Sequence, residues 1–130
     1  MPHLILEYSA PLAEKYDMNA ACHALKNVLL TFDLYPVGGI RVRARPCPYY
    51  AIADEHPENN FLDMIFRIGA GRTGDQKAET GRAIMAAAEA FFADALATPH
   101  FALSLEIQEI SKPFSWKTNT IHPRLRKEGN

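Results

Sequence analysis

The sequence lacks several features that would assign it to particular classes of protein. Its two cysteines, Cys22 and Cys47, form no C-x-x-C motif. Scarce cysteine favours a reduced, cytoplasmic protein, with one disulfide between the two cysteines as the alternative. No apolar run reaches the roughly 18 residues of a transmembrane helix, and no basic leader indicates a signal peptide. The net charge of −1 gives no general attraction to nucleic acid.

The motifs of common enzyme classes are absent as well. The five histidines, His3, His23, His56, His100 and His122, lack the paired spacing of metal ligands, so we predict no metal site. The glycine-rich stretch 69–74 lacks both the Gly-Lys-Ser/Thr of a phosphate-binding loop and the ribose acid of a dinucleotide site. No G-x-S-x-G element supports a hydrolase triad.

What remains is a chain of ordinary globular composition. Its 130 residues are 48% hydrophobic and 22% charged, which suits one domain over 1–130. Apolar periodicity predicts strands at 2–8, 40–45, 61–68 and 101–110. It predicts helices after Asp17 and after Thr73 or Asp75, with Ala13 to Tyr16 as an extra turn before the first.

This order describes two β-α-β units, at about 2–46 and 60–110, followed by a tail at 111–130. The size of each unit allows a helical crossover between parallel strands. We therefore expect an α/β (α+β) fold, a four-stranded mixed sheet with both helices on one face. The other face needs a cover, and its apolar residues predict an oligomer.

The start of the chain offers an unusual base. If Met1 is removed, Pro2 becomes a terminal secondary amine ahead of the apolar strand 2–8. Burial and nearby positive charge disfavour the ammonium form, which brings the pKa of such an amine toward the useful range of a general base. The alternative is that Met-Pro merely gives a stable processed terminus.

Arginines supply the complementary charge. Arg41, Arg43 and Arg45 share one face of the strand 40–45, and Arg41 follows a glycine pair that lets a ligand approach. A guanidinium binds carboxylates through its rigid fork. The alternative is that the three arginines form a solvated strand face or pair with Glu or Asp across the sheet. Arg72, in a strand-to-helix turn, is either an anion-binding residue or part of a surface loop.

The tail leaves three possibilities. The run 116–122, which contains Trp116, Asn119 and His122, closes over a site, packs on a neighbouring subunit, or is only an ordered tail. The ordered tail is the simplest of the three.

Four segments together resemble one family. They are Met1–Ser9, Gly38–Arg43, Ile68–Arg72 and Leu103–Ile107, and the resemblance extends to the region of Asn119 and His122. The chain is similar to 5-carboxymethyl-2-hydroxymuconate Δ-isomerases of the tautomerase superfamily. The resemblance implies a cytoplasmic homotrimer of tandem β-α-β protomers, without a cofactor, in bacterial homoprotocatechuate (4-hydroxyphenylacetate) degradation.

The resemblance also implies the site. Pro2 matches the catalytic proline of the family, and Arg41 and Arg72 match its site arginines. The substrate would be a small polycarboxylate dienol, with no role for membrane or nucleic acid. Pro2 would move a proton from the enol hydroxyl to carbon while the arginines bind carboxylates and stabilise charge at the 2-oxo group.

Two other functions remain compatible with the sequence. A related tautomerase would use the same proline on another 2-hydroxydienoate or enol acid, or in dehalogenation. A non-catalytic oligomeric binding protein could keep the scaffold without the chemistry. Residues Tyr35–Gly39 are expected near the site only by adjacency to Arg41. The fit of the substrate stays open at Pro46–Pro48 and Tyr49–Tyr50.

Overall fold

A computed structural model describes residues 1–129. Its strands are β1 (His3–Ser9), β2 (Arg41–Cys47), β3 (Asn60–Gly69) and β4 (Phe101–Ile110), and its α-helices are α1 (Met18–Leu30), α2 (Gly74–Phe91), α3 (Ala93–Leu96) and α4 (Ile121–Lys127). Short 3-10 helices occupy Ala10–Glu14 and Val37–Gly39. The helices within this part of the chain are too short or too polar to cross a membrane.

The four strands form one mixed sheet in the order β2-β1-β3-β4. β1 pairs in parallel with β2, and β3 in parallel with β4, while β1 and β3 run antiparallel at the centre. Each parallel pair is joined through a helix, as the β-α-β pattern predicted. The mixed sheet and the two units are thus confirmed.

Both long helices cover the same face of the sheet. Alternate residues of β1 and β3, among them Leu4, Leu6, Met64 and Phe66, are fully buried in one core with Leu29 and Ile84 of the helices. Burying one such side chain contributes about 1.5–3 kcal/mol. The alternation of the strands therefore decides which face the helices cover.

Side chains fix the start of each long helix. Asp17 accepts a hydrogen bond from the backbone N–H of Ala20 at 3.0 Å and begins α1. Thr73 and Gln76 form a capping box at the start of α2, so Thr73 rather than Asp75 is the cap. Capping residues of this kind contribute about 0.5–2 kcal/mol to helix stability.

The uncovered face of the sheet is of mixed character. Strand alternation places polar and charged residues there beside the apolar residues Ile5, Phe61, Ile65, Ala102 and Ile110. Apolar residues thus lie on the face that the helices leave uncovered, as predicted. Their role in an oligomer stays a prediction.

Several local predictions failed. Pro46 lies inside β2, which an edge strand permits because its N–H need not pair inward. Tyr49–Ala51 form no strand. The second helix is interrupted at Phe92, and the tail contains α4 although Pro123 lies in its first turn. Proline is tolerated in a first turn because the N–H groups there lack helical partners.

Candidate active site

The ends of three strands meet around the N-terminus. Pro2 precedes β1, Arg41 begins β2, and Gly69 at the end of β3 leads into the turn of Arg72. The backbone N–H of Arg41 donates to the carbonyl of Pro2 at 3.0 Å. In the register of the sheet, His3 pairs with Arg41 on one side and Arg67 on the other. The topology therefore brings the three predicted site residues to one end of the sheet.

Pro2 itself is buried, and the glycine pair makes room for it. A Cβ atom on Gly39 would lie 3.3 Å from the Cδ atom of Pro2 and 3.6 Å from Nε2 of His122. Contacts below 3.4 Å are tighter than most side chains accept. The ring of Pro2 and the imidazole of His122 thus approach the same glycine, which is why that position favours glycine.

The guanidinium of Arg41 is held by the turn that precedes it. Its Nη1 atom donates to the carbonyl of Gly39 at 2.7 Å and approaches that of Gly38 at 3.3 Å. Within residues 1–129 no carboxylate lies within 4.0 Å of it. Since a guanidinium has five N–H donors in a fork, the remaining donors suit an external anion.

Arg72 is positioned more tightly. It donates through Nη1 to the carbonyl of Gly69 at 3.1 Å and through Nη2 to that of Leu34 at 2.9 Å. Its guanidinium carbon lies 4.8 Å from the centroid of the Tyr35 ring, within the range of a cation–π contact. Its Nε atom is buried and, among residues 1–129, has no hydrogen-bond partner.

Tyr35 supports Arg72 from the core. The tyrosine is 2% exposed, and its hydroxyl lies 2.7 Å from the hydroxyl of Thr80. Thr80 donates its only proton to the carbonyl of Gln76, so Tyr35 is the donor in the first contact. Sequence reasoning placed Tyr35 near the site only by adjacency and omitted Thr80, because threonine breaks the apolar stripe of α2.

The electrostatic environment of the N-terminus is strongly positive. Partial burial lowers the pKa of the Met1 amine below its ordinary 8.0, and the charges of Lys117, Arg72 and Arg41 lower it further. Burial and like charge both penalise the ammonium form. The Met1 amine therefore loses its proton more readily than a free chain terminus.

The rest of the arginine row lies further along β2. Arg43 lies 3.1 Å from Nδ1 of His3, and Arg45 pairs in register with Glu7. Arg45 is four residues beyond Arg41, or about 13 Å along the strand. Burial, then Arg43, Arg67 and Arg41, lower the pKa of His3 to about 4, so its ring is neutral at pH 7.

The tail returns to the N-terminus of its own chain. The Asn119 side-chain amide donates to the carbonyl of Gly38 at 2.9 Å and approaches the Met1 sulfur at 3.3 Å. Its oxygen accepts from the backbone N–H groups of Ile121 and His122. The tail is thus ordered, as the simplest of the three possibilities has it, and it lies beside the candidate site.

A possible set of metal ligands lies at the other end of the sheet. His56, Glu58 and His100 bring ligand atoms within 4.8 Å of one another, and the two imidazoles stack at 4.1 Å. Sequence spacing missed this cluster, since His100 is remote in the chain. The Nδ1 atom of His56 already accepts a hydrogen bond from the backbone N–H of Glu58. Pro2 lies at the opposite end of β1, so this cluster is separate from the candidate active site.

Comparison with known proteins identifies the family. The model of the 5-carboxymethyl-2-hydroxymuconate isomerase family matches residues 2–125. A 5-carboxymethyl-2-hydroxymuconate Δ-isomerase of Escherichia coli is 28% identical over 122 residues, which are 94% of this chain and 97% of that protein.

Solved structures agree with this comparison. A 5-carboxymethyl-2-hydroxymuconate isomerase of Deinococcus radiodurans R1 superposes with a TM-score of 0.88 at 42% identity, covering 96% of this chain and 94% of the other. A fused 4-OT, described as a symmetric trimer, shares the fold at 15% identity and a TM-score of 0.56, with 89% and 93% covered. The chain belongs to the 5-carboxymethyl-2-hydroxymuconate isomerase family of the tautomerase superfamily and is an isomerase.

Proposed function

We propose that this isomerase converts 5-carboxymethyl-2-hydroxymuconate to its 2-oxo-3-ene isomer in homoprotocatechuate degradation, without a cofactor. The names of the relatives in Escherichia coli and Deinococcus radiodurans support this substrate. The cationic site at the end of the sheet suits a polycarboxylate, because two guanidinium groups offer donors to an external anion.

The reaction requires one base that moves a proton. In the processed chain the free amine of Pro2 takes the proton of the 2-hydroxyl group. The oxygen lone pair forms the C2–O double bond, the C2–C3 double bond shifts to C3–C4, and the C4–C5 pair takes the proton from Pro2 at C5. The amine is regenerated, and no redox partner is needed.

The arginines stabilise the charge that develops during this shift. Arg41 and Arg72 bind substrate carboxylates, and one of them faces the oxygen at C2, where negative charge accumulates. Fixed donors aimed at a developing oxyanion are worth about 3–4 kcal/mol each in well-studied enzymes. Arg72 is pre-oriented for this role by two carbonyl groups and the ring of Tyr35.

The observation that carries the proposal is the meeting of Pro2, Arg41 and Arg72 at one end of the sheet. Burial and the charges of Lys117, Arg72 and Arg41 lower the pKa of the Met1 amine there, and the same causes would act on the amine of Pro2 once Met1 is removed. A neutral amine near pH 7 is what a general base requires.

We further propose that the protein works as a cytoplasmic homotrimer, an assembly supported by the trimeric fused 4-OT of the same fold.

The test depends on the state of the N-terminus. Untagged protein with Met1 removed, as verified by intact mass, is compared with protein that carries a short N-terminal extension ending before Pro2. We expect the extended form to lose nearly all activity on 5-carboxymethyl-2-hydroxymuconate, because its proline is an amide without a free lone pair. Full activity of the extended form would contradict the proposal.

A further inference from the structure

The tail places a lysine beside the N-terminus. Asn119 fixes the tail to Gly38 by a 2.9 Å hydrogen bond, and Lys117 lies two residues earlier. Because the contact joins residues 81 positions apart, it determines where this otherwise exposed segment lies. Lys117 is consequently held near the end of β1 and is not a freely moving tail residue.

Lys117 and Met1 line the same cavity. This cavity has a volume of about 250 Å³ and lies between the chain terminus, the Gly69–Ala70 turn before Arg72, and the tail. Lys112 and Ser115 complete its polar side. Neither Arg41 nor Arg72 lines this cavity, since their guanidinium groups are held at the carbonyls of Gly39 and Leu34.

The charge of Lys117 is available to a ligand. In the described part of the chain it makes no ion pair within 4.0 Å. Among the charges that lower the pKa of the Met1 amine, that of Lys117 has the largest effect, ahead of Arg72 and Arg41. Because Lys117 lines the cavity, its ammonium group would attract an anion bound there.

We propose that Lys117 binds the third carboxylate of the substrate, on the carboxymethyl arm. This inference rests on the proposed function, which assigns the two other carboxylates to Arg41 and Arg72. The arm branches from the diene, so its carboxylate needs a separate cation. The cavity at the chain terminus, which loss of Met1 enlarges, supplies the space, and Lys117 supplies the charge. A lysine suits this task because its ammonium binds as a flexible point charge.

The first experiment removes the arm from the substrate. Wild type, Lys117→Met and Lys117→Arg are assayed on 5-carboxymethyl-2-hydroxymuconate and on 2-hydroxymuconate, which lacks the arm. Loss of one charge-assisted contact should raise KM of Lys117→Met for the branched substrate about 10-fold. On 2-hydroxymuconate the change should stay within about 2-fold, and Lys117→Arg should recover most of the loss. Lys127→Met in α4 removes an exposed lysine of the same tail and should match wild type.

A binding measurement keeps this inference separate from the reaction. The Kd of the saturated tricarboxylate 2-(carboxymethyl)adipate and that of adipate are measured by calorimetry on the same variants. Lys117→Met should weaken only the tricarboxylate. Equal losses for both ligands, or no loss for either, would overturn the role of Lys117. If wild type turned over neither dienol, the proposed function would fail, while the two Kd values would still decide the role of Lys117.

Discussion

The side-chain amide of Asn119 donates a 2.9 Å hydrogen bond to the carbonyl oxygen of Gly38. This contact, together with the packing of His122 against Gly38 and Gly39, connects the tail to the glycine turn that also holds Arg41. The same asparagine caps the turn into α4 through the N–H groups of Ile121 and His122. The C-terminal segment is thus part of the candidate site, and its attachment can be tested directly.

Replacing Asn119 by alanine should release the tail. Three hydrogen bonds to backbone groups are lost, each worth about 1 kcal/mol, and none of them involves the main core. We expect amides of 117–127 to exchange faster with deuterium, and KM for the substrate to rise several-fold. The Tm should fall by roughly several degrees, because the tail no longer contributes its full stabilisation to the native state. Unchanged exchange in this segment would show that Asn119 does not hold it.

Replacing Gly38 by alanine should displace α4. The new Cβ atom would lie 2.7 Å from Nδ1 of His122 and 3.1 Å from its backbone nitrogen, so backbone as well as side chain must move. We expect activity to fall at least about 10-fold, with a fall in the free energy of unfolding of about 1–3 kcal/mol. Gly74→Ala is the matched control, because nothing lies within 4 Å of its Cβ position. Similar behaviour of the two variants would refute the steric argument.

Substitutions at Tyr35 separate the support of Arg72 from the packing of the core. Tyr35→Phe keeps the ring under Arg72 and removes the hydroxyl that donates to Thr80. It should lower the free energy of unfolding by about 1 kcal/mol in a denaturant titration and leave kcat nearly unchanged. Tyr35→Leu also removes the ring and should reduce kcat/KM further. Equal kinetic loss in both variants would assign the effect to the hydroxyl instead.

Substitutions at Arg72 should separate charge from geometry. The positive charge of Arg72 lowers the pKa of the terminal amine, so its removal in Arg72→Met raises that pKa. A base with a higher pKa is deprotonated at higher pH, and the ascending limb of kcat/KM should move upward. Arg72→Lys keeps the positive charge, so the ascending limb should stay in place. It lacks the forked donors of the guanidinium group, so kcat/KM should fall about 100-fold. Identical pH profiles for Met and Lys at this position would contradict the electrostatic role.

The sequence predicted the parts of the fold that follow from local pattern. The alternation of β1 to β4, the cap at Asp17 and the β-α-β order each depend on neighbouring residues, and the structure confirms them. The short helix α4 was missed because seven residues that include Pro123 give little periodic signal. The break at Phe92 was missed because its ring is fully buried and fits the apolar stripe on either side.

The candidate site was predictable only where residues are near a sequence signal. Pro2 and Arg41 adjoin the terminus and the glycine pair, while Arg72 lies in a glycine-rich turn. Lys117 carries no such signal, since its position depends on the hydrogen bond of Asn119 to Gly38, 81 residues away. Long-range contacts of this kind cannot be read from the chain in order.

The central claim is that Pro2 is the base, and its pH–rate profile tests that claim most directly. Untagged wild type and Pro2→Ala, both with Met1 removed, are assayed on 5-carboxymethyl-2-hydroxymuconate across the pH range. The wild type should show an ascending limb below pH 8.0, the ordinary value of a terminal amine. Pro2→Ala should lose most of the activity together with the wild-type limb, because its primary amine lacks the ring whose Cδ atom lies against Gly39. The same rate and the same profile in both proteins would show that the amine of Pro2 does not perform the chemistry.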